Sequence, residues 1–450
     1  MTPTGGAPVA FDIAVVNGTV MPMGGAAPIP GGTVAISGRT IAAVGTAAGI
    51  DVSGARHVID ANNCAVLPGF VNSHTHIASN LLLRGLLEDV HIFEWLKAMW
   101  QLKSNFDEET LYWASLNGLI EMVKAGFTTF NEHFDGYRVE PEIEALKLLP
   151  LRATLGYGFA DRGIYASITD WSWATLEKFD EKVARFHGTG DGRNQVALSP
   201  HAIYSCGPEM YHLVREVADS TGVSIHTHLS EGMQEVNYAT DTYGMRPVRW
   251  LESIGFLGPD VTAAHCCQLD ADDIRILAET GTRIGHCPCC NAKLVSGTMP
   301  LREVRNAGIT VGLATDGPAS HNALDMFQEM KFAGLIHKAT TNDVEFLRTN
   351  EILEMATAGS AAAMSRPETG TLVPGKAADV IIVDLDRPHT LPVYDVAATL
   401  VYASRADDVL TTIADGRVLM ENRVVAGVDE EEIRREFRQR AHALKKRSFG

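Results

Sequence analysis

His74, His76, His228, His265 and Asp316 are residue types that can hold and use a divalent metal ion, although they are spread over most of this 450-residue chain. His74-Thr75-His76 follows the apolar run Val66-Leu67-Pro68-Gly69-Phe70-Val71. In an extended segment side chains two apart share a face, so both imidazoles can meet one ion. Three other apolar runs end the same way: Val223-Ser224-Ile225 before His226-Thr227-His228, Val261 to Ala264 before His265, and Ile309 to Thr315 before Asp316. A single buried histidine is more often a hydrogen-bonded core residue than a ligand. Repetition at strand ends favours ligands, because parallel strands delivering side chains at their C-terminal ends are the layout of a (β/α)8 barrel active site.

Ligation by His74, His76, His228 and Asp316 would leave room for a water if coordination expands to five. A divalent ion lowers the pKa of bound water towards about 7 and so supplies hydroxide at neutral pH. Glu231, three residues after His228, is placed to take the water proton and pass it to a ring nitrogen or leaving group. His265 would hydrogen-bond the hydroxide or a developing oxyanion, and Asp316 could also accept a proton. His226 shares a face with His228; we assign His228 as the ligand because it is nearer the strand end and sets the spacing to Glu231. One divalent ion is expected, zinc favoured and iron possible, since His and carboxylate ligands suit several metals. Val196 to His201 offers no Lys or Glu to bridge two ions. Cys287-Pro288-Cys289-Cys290, with Cys266-Cys267, lacks the H-x-E partner of a cytidine-type zinc deaminase and reads as reduced thiols beside the barrel mouth.

The elements that must position these groups alternate between β runs and amphipathic helices from residue 67 to 367. Eight strands are predicted near Leu67–Val71, Thr128–Asn131, Ala153–Tyr157, Val196–Pro200, Ser224–His228, Val261–His265, Arg283–Cys287 and Thr310–Thr315. Helices such as Glu108–Lys124, Leu176–Phe186, Pro208–Ser220 and Ala271–Thr280 lie between them. An open doubly wound sheet would not bring ligands from the first, fifth, sixth and eighth strands around one ion; a TIM-like barrel would. Short strands and Asn-Gly, Ser-Gly and Asp-Gly turns fill residues 1–66 and recur in 368–450, so both chain ends should build one small β-sandwich domain, closed by a charged helix near Asp429–Lys446.

A net charge of −17 argues against nucleic acid or an anionic membrane as partner. Met1–Ala10 lacks the basic start of a secretory signal, no transmembrane run is visible, and seven cysteines, an odd number, favour reduced thiols in the cytoplasm.

The segments Leu67 to His76, Leu83 to Asp89, Glu94-Trp95-Leu96, Ser199-Pro200-His201, His226 to Glu231, Ala264-His265-Cys266, His286-Cys287-Pro288 with Asn291 to Leu294, Ala314 to Asn322 and Gly370 to Asp379 resemble, in order, the amidohydrolase superfamily. The similarity is to its branch of methylthioadenosine/S-adenosylhomocysteine deaminases and triazine hydrolases. It implies one zinc or iron on His74, His76, His228 and Asp316, with proton transfer and polarisation by Glu231 and His265. It also implies substrate contact by His201, a pocket wall at Trp95, and a homo-oligomer. Two positions depart from the deaminases. Where they carry a ribose-clamping Glu, this chain has Lys103, or Ser104 with one gap fewer; where they carry an arginine for the homocysteine carboxylate, an ungapped third strand places Tyr157. An ammonium donates but cannot accept from ribose hydroxyls.

The expected function is therefore that of a mononuclear metal-dependent hydrolase of small molecules, deaminating an aromatic N-heterocycle such as a purine, pterin or triazine. The same machinery could instead hydrolyse a urea, carbamate, amide or chlorotriazine. A noncatalytic metal-binding scaffold is disfavoured, since it has no need of Glu231 and His265.

Overall fold

The computed structural model describes residues 11–134 and 139–449; the Met1–Ala10 stretch read for a targeting signal lies outside them. Eight parallel strands form the expected barrel: β1 (Phe70–Thr75), β2 (Phe127–His133), β3 (Arg152–Phe159), β4 (Asn194–Pro200), β5 (Ile225–Leu229), β6 (Val261–His265), β7 (Arg283–His286) and β8 (Val311–Leu313), hydrogen-bonded in that order. The first three are buried at every position, as strands must be when helices cover one face and packed side chains fill the other. Helix starts follow local chemistry. Asp107 accepts from the Thr110 amide to open Glu108–Lys124, and Asp270 forms a capping box with Asp273 to open Ala271–Thr280.

The ladder's two ends, β1 and β8, meet through polar groups. Ser73 Oγ donates to Leu313 O at 2.9 Å, Asn72 Nδ2 to Thr315 Oγ1 at 2.7 Å, and the Thr315 amide to Asn72 Oδ1 at 3.0 Å. One step further, the Asp316 amide donates to His74 O at 3.1 Å. This seam sets Asp316 beside the His74/His76 pair.

Both chain ends supply a second, nine-stranded sheet: Ile13–Val20, Ile29–Ser37, Thr40–Thr46, His57–Asp60, Cys64–Pro68, Val380–Asp384, Val409–Ala414, Arg417–Glu421 and Val424–Val425. It has its own core, including Val15, Val34, Ile36, Val66, Val380 and Ile413. Leu67 and Pro68, expected in the first barrel strand, belong to this sheet instead, where Leu67 pairs with Ile381 and Pro68 with Val380. The exchange happens at Gly69. Its amide donates to Asp379 O of the small sheet, whereas that of Phe70 donates to Gly126 O before β2. A Cβ at Gly69 would come within 2.2 Å of the Thr128 side chain. The terminal helix Glu430–Phe449 packs on Glu108–Lys124, with Lys124 Nζ 2.8 Å from Glu430 Oε2. Among the described residues no helix is long and apolar enough to cross a membrane.

A buried charge network docks the small sheet under the N-terminal ends of β3 and β4. Asp415 meets Arg39 Nε at 2.7 Å, Arg193 Nη1 at 2.9 Å and Arg152 Nη2 at 3.1 Å, while Arg152 Nε also reaches Asp379 at 3.3 Å. Burial opposes charge on Asp415, but hydrogen bonds from Arg39 and Arg193 and the nearby Arg152 outweigh it and hold the carboxyl below its ordinary range. Losing Asp415 leaves Arg152 with Asp379 at 3.3 Å and Arg193 with Asp191 at 3.6 Å as remaining partners, so Asp415→Ala is expected to cost about 1–3 kcal/mol in equilibrium denaturation at neutral pH. The sign with pH follows from the lowered pKa: the contribution is complete above the unfolded value near about 4 and is lost as pH falls through the lower folded value. The gap between wild type and variant should close in acid; a gap that widens there would contradict the role.

Candidate active site

The C-terminal ends of the strands bring four of the predicted groups onto one point. His76 Nε2 lies 3.2 Å from His228 Nε2 and 3.3 Å from Asp316 Oδ1, which is itself 3.2 Å from His74 Nε2. Ligands bound at 2.0–2.2 Å to a tetrahedral ion stand about 3.3–3.6 Å apart, so these separations suit a small divalent cation. His74 Nε2 is buried and makes no hydrogen bond of its own. Burial pushes His74 down to about 3 and His228 well below the usual imidazole range, which keeps both rings in the neutral form that binds metal. The donor set and its spacing fit the ion.

Neighbouring groups fix the rings. His228 Nδ1 is 2.8 Å from the carbonyl of His201, a pure acceptor, so Nδ1 carries the proton and Nε2 presents its lone pair. His226 lies behind His74, with its Nε2 2.8 Å from His74 Nδ1, and orients that ring from the layer below. Cys290 Sγ donates to Asp316 Oδ2 at 2.7 Å and leaves Oδ1 towards the histidines. Cys290→Ala is expected to weaken metal binding about 10–100-fold, and Cys290→Ser to restore most of it, in competition with a chelating indicator. Equal affinities in all three proteins would refute that role.

Glu231 and His265 stand beside this cluster, 4.0 Å apart at Oε2 and Nε2. Ser296 Oγ donates to Glu231 Oε1 at 3.1 Å, and Glu235 holds the backbone by accepting the Ser230 and Glu231 amides at 3.0 and 2.9 Å. Burial pushes the Glu231 carboxyl above its usual range, the direction a proton carrier needs. His265 Nδ1 is 2.8 Å from Asn291 Oδ1, which turns Nε2 into the site. Three backbone positions here are left-handed: Ser230 (φ 49°), His265 (φ 71°) and Asp316 (φ 57°). Non-glycine residues adopt this conformation at a cost of about 1–3 kcal/mol, and it occurs here where strands must turn side chains inward.

The cluster forms the floor of a narrow cleft whose walls include Ile92, Trp95, Leu96, Tyr204 and Leu294, with His201 at one side. His201 Nδ1 is 2.9 Å from Ser205 Oγ, which can place its own proton on Ala202 O; Nδ1 then donates and Nε2, 3.2 Å from Tyr165 OH, remains an acceptor. Lys103 and Tyr157 do not line this cleft. Lys103 ends the helix Ile92–Lys103 and is buried there. Strand alternation sends Tyr157 outward, its ring centroid 5.5 Å from that of Phe179, with Lys182 over its face. Cys290, Glu235 and Ser296 had not been singled out as site residues. Glu235 carried a readable signal, four residues after Glu231 at a helix start.

Residues 65–419 match the model of the amidohydrolase family. The chain belongs to the amidohydrolase family. This amidohydrolase is 40% identical over 387 residues to a 5-methylthioadenosine/S-adenosylhomocysteine deaminase of Pelotomaculum thermopropionicum, covering 86% of this chain and 87% of that protein. Its fold superposes on an adenosine deaminase from Xanthomonas campestris with bound zinc at a TM-score of 0.91, with 28% identity, over 98% of this chain and all of that one. It also superposes on a zinc complex of atrazine chlorohydrolase from Arthrobacter aurescens TC1 at 0.87, with 26% identity, over 96% and 99% of the two chains.

Proposed function

We propose that this amidohydrolase removes the exocyclic amine of an aromatic N-heterocycle, with the adenine ring of a nucleoside-type substrate as the first choice. The observation that carries the reading is the convergence of Glu231, His265 and Asp316 at the floor of a cleft with apolar and aromatic walls. An apolar slot receives a flat heterocycle, and the few polar groups set its orientation. Similarity to an adenosine-type deaminase supports the adenine choice.

Held by His74, His76, His228 and Asp316, one divalent ion, zinc in our reading, would supply a water-derived nucleophile at neutral pH and polarise the reacting carbon. Glu231 would take one water proton at Oε2 and deliver it to the ring nitrogen, and the second proton, left on the added oxygen, would pass by way of Asp316 to the amine, which departs as ammonia. With Nδ1 donating to Asn291 Oδ1, His265 Nε2 would accept from the O–H of the nucleophile and orient it towards the carbon. The acceptor Nε2 of His201 would receive a substrate hydroxyl in place of that of Tyr165. Seven free thiols favour a reducing, cytoplasmic setting, and we expect a homo-oligomer.

A second reading, hydrolysis of a substituted triazine, is favoured by one feature. Among the described residues lining the cleft, the only carboxylates are Glu231 and Asp316, so none is left over to clamp two ribose hydroxyls. A panel of adenosine, 5′-deoxyadenosine, methylthioadenosine, S-adenosylhomocysteine, aminopterins, melamine and atrazine separates the two. Ammonia release from adenine nucleosides supports the first reading. Chloride from atrazine with no ammonia from any amine would replace it with the second.

A further inference from the structure

A second group of ligand-type side chains lies outside the catalytic cluster. Cys289, His321 and Glu329 each offer one donor atom, and the three atoms lie within 4.8 Å of one another. They come from three elements: the helix Pro288–Lys293 after β7, the segment following Asp316, and the helix Met326–Thr341. Glu329 is fully buried, and the His321 side chain is 4% exposed.

This arrangement is incomplete on its own. His321 Nε2 is 3.1 Å from Glu329 Oε1 but not aligned for a hydrogen bond with it; the other polar neighbours are the Thr315 backbone for His321 and the Cys289 thiol for Glu329. The other carboxylate oxygen, Oε2, accepts from the Cys289 amide at 3.1 Å. Among the described residues Glu329 meets no lysine or arginine. Burying polar atoms without well-aligned partners costs free energy that a bound cation would offset. The 3.1 Å separation is close to the ligand spacing of about 3.3 Å around a tetrahedral ion bound at 2.0–2.1 Å. Cys289 is also the one cysteine of the seven that is not buried, so solvent can reach the site.

We propose that Cys289, His321 and Glu329 form a second divalent-cation site, suited to zinc, separate from the catalytic one. A thiolate, an imidazole and a carboxylate together match zinc better than magnesium or calcium, which take oxygen ligands. The ion would brace the segment from Asp316 to His321, of which Gly317 and Ser320 line the cleft. Its role is to hold that wall of the pocket, with no part in the chemistry.

Metal content and cobalt absorption of the full chain test the site. Wild type dialysed against zinc should retain two equivalents, and the His76→Ala/His228→Ala and Cys289→Ala/His321→Ala proteins one each. Cobalt replacement should give a thiolate-to-cobalt charge-transfer band in wild type and in His76→Ala/His228→Ala that vanishes in Cys289→Ala. One equivalent in wild type, with none in His76→Ala/His228→Ala, would overturn the proposal. So would a wild-type cobalt protein without the band, or a band that survives in Cys289→Ala and so belongs to another cysteine. The wild-type measurements stand even if a variant fails to fold, and failure here leaves the catalytic reading intact.

Discussion

Replacing Glu231 with Gln is expected to lower kcat by about 10²–10⁴ while the metal content stays at the wild-type level. Gln keeps the size of the side chain and can still meet Ser296, but it cannot carry a proton from the nucleophile to the substrate. The carboxylate is buried, braced through the Glu235 contacts to its backbone, and 4.0 Å from His265, so little else in the cleft could take over the transfer. Its pKa is raised by burial, which places the acid closer to working pH and makes the same group useful in both directions. Steady-state kinetics beside metal analysis separates this role from ligation. A Glu231→Gln protein with near wild-type kcat, or one that loses its metal, would contradict the assignment.

The second large effect concerns the two histidines of β5. His228→Ala should fail to rebind a catalytic equivalent of metal after chelation and should lose activity with it. His226→Ala should still bind, about 10–100-fold more weakly, because it removes only the group that orients His74. The contrast rests on the tautomers. His228 has Nδ1 on a carbonyl and Nε2 pointing at His76 and the shared centre, whereas His226 directs its Nε2 at His74. Titration with a chelating indicator gives both affinities. Full occupancy of the catalytic site in His228→Ala would sink the ligand assignment.

Much of this site could be read from the chain because barrel strands have a period of two and end at the chemistry. Apolar runs closing on His74/His76, His228, His265 and Asp316 carry that information directly, and helices such as Ala271–Thr280 announce themselves through their caps. Partner choice is harder to read. Residues 64–71 are nearly continuous in apolar character, and only Gly69 marks where hydrogen bonding passes from one sheet to the other. Alternation alone pairs His226 with His228; nearness to the strand end and the spacing to Glu231 favoured His228, whereas its tautomer depends on a carbonyl 27 residues away in sequence. Tyr157 came from ungapped matching of the third strand, and Lys103 from a gapped matching after Trp95-Leu96. The pleat of β3 and the burial of Lys103 at a helix end put both outside the described cleft lining. Cys290 looked inert beside its neighbouring cysteines until the fold set it on Asp316.

Hydrolytic loss of an amine leaves an isotopic record. Turnover of an adenine nucleoside in H₂¹⁸O should release one ammonia per product and place one ¹⁸O on the carbon that carried the amine, as read by mass spectrometry. Product without ¹⁸O, or turnover without ammonia, would contradict the central claim that this site adds water to a ring carbon and expels nitrogen.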